Sequence, residues 1–291
     1  MRKRPKSITK PHKPFGEGKH GGKPRRFMGR LAPKMDNSNL MPKSNWYNAF
    51  YPVTLLGCIL LFWHLSIVTG MVDSFILPRP GAVAAALIKD FPLLASYGAY
   101  TIFEGLSGLL AGIILGYIGA VIMDRFLFMR KALYPLLVVS QTIPVIAVAP
   151  LLVLWLGYDM KPKIALVILT CFFPIAIGVY DGIAHIEQEY IDELRVLGGR
   201  YHEGLLHVKV PMSAPGFFSS VKIAATYAIA GAVVAEWIGG TKGLGVYMTR
   251  VRKSYEFDKL FAVILLTALV SLALIALVKQ IERRVLRYVQ M

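Results

Sequence analysis

A chain of 291 residues with 55% hydrophobic and only 17% charged residues, and a mean hydropathy of +0.54, is too apolar for a water-soluble globular domain and excludes that class. The formal net charge of +16 is unevenly held: residues 1–43 carry 13 of the 33 Lys and Arg against two acids, Glu17 and Asp36. The two cysteines, Cys58 and Cys171, both fall inside apolar runs, which argues against a disulfide framework and for two small buried hydrophobes.

In chain order, residues 1–45 are rich in Gly, Pro and Lys without apolar periodicity and read as a disordered basic segment. Beside a membrane such a segment serves topology and anionic lipid rather than nucleic acid. It lacks the apolar core and small-residue cleavage site of a signal peptide and is expected to be retained. Residues 46–291 form the membrane domain. No Lys, Arg, Asp or Glu occurs between Lys43 and Asp73, and residues 50–69 are long enough for a first span across about 30 Å of hydrocarbon. His64, inside it, is either a ligand or relay or a residue facing a neighbouring helix. The prolines of Leu77-Pro-Arg-Pro-Gly-Ala-Val83 interrupt any helix, and residues 82–94 then read as a short surface helix.

The second span, residues 97–123, carries Gly105, Gly108, Gly112, Gly116 and Gly119 three or four residues apart, a stripe that lets helices approach closely in lipid. Glu104, near its outer end, either lines a pathway or is simply wet. The third span, residues 132–156, contains Gln141, Thr142, Pro144 and Pro150. Prolines in a membrane helix need water or neighbours to satisfy the freed carbonyls, so a bent helix beside a cavity is expected there. Gln141, Thr142 and Pro144, with Glu236, are the candidate solute pathway. A fourth span covers residues 164–180. A fifth, residues 213–235, contains Lys222, which is close enough to the membrane surface to snorkel and less suited to a substrate role. Glu236-Trp-Ile-Gly-Gly-Thr-Lys-Gly-Leu-Gly245 lacks the spacing of a phosphate-binding loop and reads as a glycine-rich outer turn. The sixth span, residues 260–278, ends in Lys279, Arg283, Arg284 and Arg287.

With the amino terminus inside, the cytoplasmic segments hold 23 Lys and Arg and the outer segments 9, so both termini are expected in the cytoplasm. That orientation puts residues 187–211, between spans four and five, on the cytoplasmic side. Ile191, Leu194 and Leu197 give this polar island one apolar face, Gly198-Gly199 breaks its helix, and a second amphipathic run, residues 201–210, ends at Pro211. It forms a helix, a turn and a helix for a partner to grip. No nucleotide-binding motif, metal-ligand spacing or nucleophile elbow occurs, so no catalytic residue, metal or cofactor is expected and energy has to come from another subunit.

The spacing of Asp192, Gly198 and Pro211 resembles the E-A-A, G and L-P loop of permease subunits in bacterial ATP-binding-cassette importers. Asp192 stands where that family has Glu, Glu193 and Leu194 where it has two Ala, and Val210-Pro211 where it has Leu-Pro. Leu77 to Val83, Ile143-Pro-Val-Ile-Ala-Val-Ala-Pro-Leu-Leu-Val-Leu-Trp-Leu-Gly157 and the glycine turn also resemble its nitrate, sulfonate, taurine and thiamine-precursor branch. The resemblance implies the type I importer permease architecture with a cytoplasmic coupling helix. It further implies a homodimer, ATPase subunits that bind the ATP and dock on Asp192, Glu193, Gly198, Tyr201, Leu205 and Pro211, and an extracytoplasmic solute-binding protein. Tyr201 would plug the ATPase groove, unless it anchors at the membrane interface. Residues 235–248 look closest to the type that imports a pyrimidine precursor of thiamine; nitrate, sulfonate, taurine or riboflavin are the other solutes of the branch. An ion-coupled carrier or channel is the alternative, and would need paired charges within the membrane.

Overall fold

The computed structural model describes residues 47–289 apart from positions 188, 191, 193–195, 197 and 199, so the basic segment of residues 1–45 and Glu193 lie outside the described residues. The chain divides into two units, Met1–Leu55 and Leu56–Met291, and of the first only the opening turns of α1 are described. Among the described residues the regular elements are all helices: α1 (Tyr47–Val68), α2 (Pro80–Lys89), α3 (Phe91–Arg125), α4 (Leu127–Ser140), α5 (Val145–Leu156), α6 (Met160–Ala184), α7 (Tyr201–Gly239), α8 (Leu244–Lys253) and α9 (Phe257–Val289). Among the described residues α1, α3, α6, α7 and α9 are each long and apolar enough to cross a membrane, and α4 with α5 supplies a sixth span if that broken pair is counted as one.

Helices α3, α6 and α7 pack side by side, with α9 against α7. Leu109, Met123, Val167, Ile175, Val179 and Ile229 lie in the core between them. The glycine stripe of α3 is what admits α6. A Cβ at Gly112 would come 2.8 Å from Cys171 Cβ, and one at Gly116 would come 2.8 Å from Ile175 Cγ2. A packed neighbour cannot yield that much without moving the helix, so the stripe is a packing face. Cys171 is buried, its Sγ 3.5 Å from the Ala224 carbonyl oxygen, whereas Cys58 is exposed on α1. The expectation of two buried cysteines therefore holds for one; Cys58 lies in the outward-facing apolar run of Leu55, Leu56, Ile59 and Leu61.

Three boundaries differ from those expected, each because of a proline. The surface helix over residues 82–94 is two elements: α2 opens with Pro80 in its first turn and stops at Asp90, and Pro92 then starts α3. The third span is not one bent helix. Pro144 removes a donor and pushes Ile143 out of the helical region, so the chain breaks at Gln141–Pro144 and α4 and α5 meet at 104°. Pro211, expected to end the second amphipathic run, instead lies inside α7. Leu205–Lys209 form a π-helical turn immediately before it, and this wider turn accommodates the missing N–H and the proline ring without a break.

Candidate functional site: the coupling loop, the helix break and the buried charges

The loop that follows α6 begins the site. Asp192 is helical and exposed, and Gly198 has φ +80°, the left-handed conformation needed to reverse the chain after one polar helix. Glu203 caps the next helix, its Oε2 accepting the Arg200 backbone N–H at 2.7 Å. From there Tyr201 and Lys209 both reach Asp124 in the last turn of α3. The Tyr201 hydroxyl donates to Asp124 Oδ2 at 2.8 Å, and Lys209 Nζ lies 2.7 and 2.6 Å from Oδ1 and Oδ2. Arg125 stacks its guanidinium 4.7 Å over the Tyr201 ring. In an unbroken α-helix positions 201 and 209 would lie about 80° apart around the axis. The π turn takes up that difference and turns both side chains toward one carboxylate. Leu205 opens this π turn and Pro211 follows it. The sequence-predicted residues Gly198, Tyr201, Leu205 and Pro211 thus lie along one continuous stretch, whose anchor, Asp124, was not among them.

At the other end of α3 and α7 the polar groups are sealed. Glu236 is 1% exposed and lines none of the cavities described here. Its Oε1 accepts the Thr101 hydroxyl at 2.7 Å and its Oε2 the Gly245 N–H at 2.6 Å, while the Leu244 N–H donates to Thr101 Oγ1 at 2.9 Å. Gly243, at φ +127°, completes the turn. The Gly245 N–H is therefore directed at the chain's own carboxylate and the Gly240 N–H at the Glu236 backbone carbonyl, not at a bound phosphate. Glu104, expected either to line a pathway or to be wet, is fully buried and forms an ion pair with Lys163 at 3.2 Å. Lys222 does not simply snorkel: its Nζ lies 2.9 Å from both carboxylate oxygens of Glu282 on α9. Intramembrane charges that looked unpaired in the sequence are paired through space.

The break between α4 and α5 opens a cavity of 410 Å³. Ser140, Gln141, Val145, Thr170, Phe173 and Tyr227 are among its lining residues. Of the pathway residues expected there, Gln141 lines it. Thr142 turns back, its hydroxyl donating to the Val139 carbonyl at 2.7 Å, and Pro144 supplies the break itself. Thr170 and Tyr227 join Gln141 from helices 29 and 86 positions further along the chain, a juxtaposition that no local pattern in the sequence marks.

At the surface of the glycine-turn end, Tyr247 of α8 donates to Asp90 Oδ2 at 2.8 Å, and burial together with this bond holds its phenol above the ordinary value. Lys259 Nζ lies 3.7 Å from the same carboxylate, so Asp90 ties the α2–α3 junction to both α8 and α9.

Among the described residues the molecule is a bundle of helices long and apolar enough to cross a membrane, with one broken pair and a polar loop tied to a bundle helix. Residues 108–287 match the family described as "Binding-protein-dependent transport system inner membrane component", and the chain belongs to that family. It is 36% identical over 77% of its length to a probable ABC transporter permease protein of Haemophilus influenzae, covering 91% of that protein. It is 32% identical over 81% of its length to the formylaminopyrimidine transport permease protein ThiX of Halalkalibacterium halodurans, covering 94% of it. In the solved structure of a bacterial ABC transporter involved in the import of the acidic polysaccharide alginate, a chain at 15% identity superposes with a TM-score of 0.59, covering 82% of this chain and 96% of that one. The fold is that of the type I importer permeases, and the protein is a multi-pass inner-membrane permease of an ABC importer for a small solute. Paired intramembrane charges, the expected mark of an ion-coupled carrier, here hold the helices of an ABC permease together.

Proposed function

We propose that two copies of this chain form the solute pathway of an ATP-driven importer, with both termini in the cytoplasm and residues 187–211 docked on a separate ATPase subunit. ATP is bound and hydrolysed by that subunit, and the permease contributes no cofactor of its own. A binding protein delivers the solute from the opposite face. The observation that carries this reading is the double attachment of Tyr201 and Lys209 to Asp124. A force that reaches Tyr201 passes into α7 along its axis and into α3 through the Asp124 carboxylate. Movement of α3 and α7 against the α4–α5 break then opens the Gln141 cavity to one side or the other. Glu236 serves this movement as the fixed point at the far end of both helices rather than as a wall of the pathway.

The solute proposed first is a pyrimidine precursor of thiamine. The similarity to the formylaminopyrimidine permease supports it, as does a cavity in which Tyr227 and Phe173 offer aromatic faces and Gln141 and Thr170 offer hydrogen-bonding groups to a small heteroaromatic ring. Three experiments test the scheme. A cysteine at Lys242 should react with an impermeant thiol reagent on intact cells and one at His202 should not; the reverse pattern inverts the orientation. Gly198→Val should reach the membrane at normal levels yet co-purify poorly with the ATPase and lose transport. Normal recruitment and transport by that variant would leave residues 187–211 a mere connection. Gln141→Leu should change uptake with assembly intact.

A further inference from the structure

A second cavity, of 350 Å³, lies beside the coupling loop, where the end of α3, the start of α4 and the end of α6 converge. Asp124, Arg125, Arg130, Tyr180 and Lys209 are its polar lining residues. Lys209 and Asp124 neutralise one another in their 2.6 Å ion pair. Among the described residues the two arginines have no such counter-charge. Arg130 stacks 5.6 Å over the Tyr180 ring and Arg125 4.7 Å over the Tyr201 ring, but neither has a carboxylate within ion-pair distance among the described residues. The nearby Asp181 is engaged from the other side, accepting the Tyr134 hydroxyl at 3.2 Å. Stacking holds a guanidinium plane and leaves its N–H edge unspent, and two such edges on one cavity suit the oxygens of a phosphate.

What lies between these arginines in the chain says which phosphate. Phe126, Leu127 and Phe128 are 55%, 61% and 74% exposed at the turn between α3 and α4. Three large apolar side chains in a row at the end of a membrane-crossing helix belong in hydrocarbon at the edge of a bilayer. A ligand whose phosphate sits on Arg125 and Arg130 therefore has acyl chains available to cover Phe126 to Phe128. A free anion would leave them bare. We propose that this cavity is a site for the headgroup of an anionic phospholipid, with Arg125 and Arg130 on the phosphate and the aromatic turn under the chains. An anionic lipid is favoured over a zwitterionic one because Arg125, Arg130 and Lys209 outnumber the single lining acid, Asp124, and choline would bring a further cation into that excess. The site adjoins the coupling segment through Arg125 and Tyr201, so an occupied headgroup would stiffen the attachment of the loop to α3.

The test uses the full-length permease purified in detergent and stripped of lipid. Its thermal midpoint is followed as phosphatidylglycerol is titrated into mixed micelles, with phosphatidylcholine and sodium phosphate as parallel arms, since binding to the folded state raises the midpoint. Phosphatidylglycerol should stabilise the protein at a lower mole fraction than phosphatidylcholine, and sodium phosphate at matched concentration should not. In Arg125→Gln/Arg130→Gln the half-saturating phosphatidylglycerol should rise about tenfold or more, the scale of losing a charge-assisted hydrogen-bonding group. Lys131→Gln/Lys279→Gln removes as much charge outside the cavity and should leave it unchanged. Co-purification of the arginine variant with its ATPase reports separately on the loop. Equal responses to the two lipids, an unshifted titration in the arginine variant, or an equal shift in the control would overturn the proposal. Full stabilisation by sodium phosphate alone would overturn the lipid as its source.

Discussion

The two ends of the α3–α7 pair are held by polar clusters built to opposite rules. At the glycine turn, Thr101, Glu104, Lys163 and Glu236 are all buried, and two of the donors are backbone or hydroxyl groups with no water to replace the carboxylate. At the loop, Asp124 and Lys209 keep 13% and 15% of their side-chain surface exposed, and Tyr201 keeps 37% of its residue surface. Removing one member of the first cluster strands a buried charge or donor; removing one member of the second lets water in. Comparable short distances therefore carry different energies, and the difference assigns a fixed end and an adjustable end to the same two helices. The proposed drive from the loop would need this asymmetry, because a joint that must rearrange in each cycle cannot also be the one that is most expensive to open.

The largest expected effect lies at the sealed end. Lys163→Met leaves Glu104 without its cation and should cost about 3 to 5 kcal/mol, seen as a much lower thermal midpoint and loss of folded protein from the membrane. Lys163→Met/Glu104→Leu removes both charges and should recover most of that loss. A double variant as unstable as the single would mean that the pair is held by more than its mutual attraction, and the contrast between the ends would weaken. Next in size is Gly112→Val, in the stripe between the two clusters. Its branched side chain starts 2.8 Å from Cys171 Cβ, so α3 and α6 must separate, at about 1 to 3 kcal/mol. A midpoint within error of the parent would show that the two ends are not joined by a rigid rod.

Asp124→Asn should cost far less stability, about 1 kcal/mol, as expected for a partly wet ion pair. Its signature is functional instead. The permease should still recruit its ATPase through residues 187–211, and ATP hydrolysis should continue while solute uptake per ATP falls. Parallel loss of hydrolysis and uptake would place Asp124 in docking rather than in transmission.

Much of this was legible in the chain. The apolar runs located the spans, the glycine spacing marked a close-packing face without naming its partner, and Gln141, Thr142 and the prolines marked a bend beside a cavity that the structure shows as a full break. What was hidden shares one physical character: it depends on residues far apart in sequence whose side chains become partners only when helices pack. Glu104 and Lys163 are 59 positions apart, and Lys222 and Glu282 are 60. A lone charge in an apolar run gives no hint of its partner's helix, so Lys222 was read as snorkelling and Glu104 as either lining a pathway or wet. Glu236, expected in the pathway, is buried and bonded to Thr101 and Gly245 across 135 and 9 positions of sequence, which no local pattern marks. The π turn was invisible for a different reason, since Leu205 to Lys209 carries no residue type that specifies five-residue rather than four-residue bonding.

That turn makes the smallest and most specific prediction. Pro211 has no N–H to donate in either helical form, and in an α-helical path its ring would also crowd the His207 carbonyl; the wider π turn relieves that crowding. Pro211→Ala restores the donor and gives the helix a reason to close into regular α-form. Positions 201 and 209 would then diverge by about 80° around the axis, and Asp124 could keep only one of its two partners. The gained backbone bond and the lost side-chain contact nearly offset, so the thermal midpoint should move by no more than about 0.5 kcal/mol would produce. Double-mutant cycles separate the outcomes. In the parent, Asp124→Asn should couple both to Tyr201→Phe and to Lys209→Gln; in the Pro211→Ala background one of the two couplings should vanish. If both couplings survive, the carboxylate rather than the proline sets the π turn, and the adjustable end is held more firmly than its exposure implies.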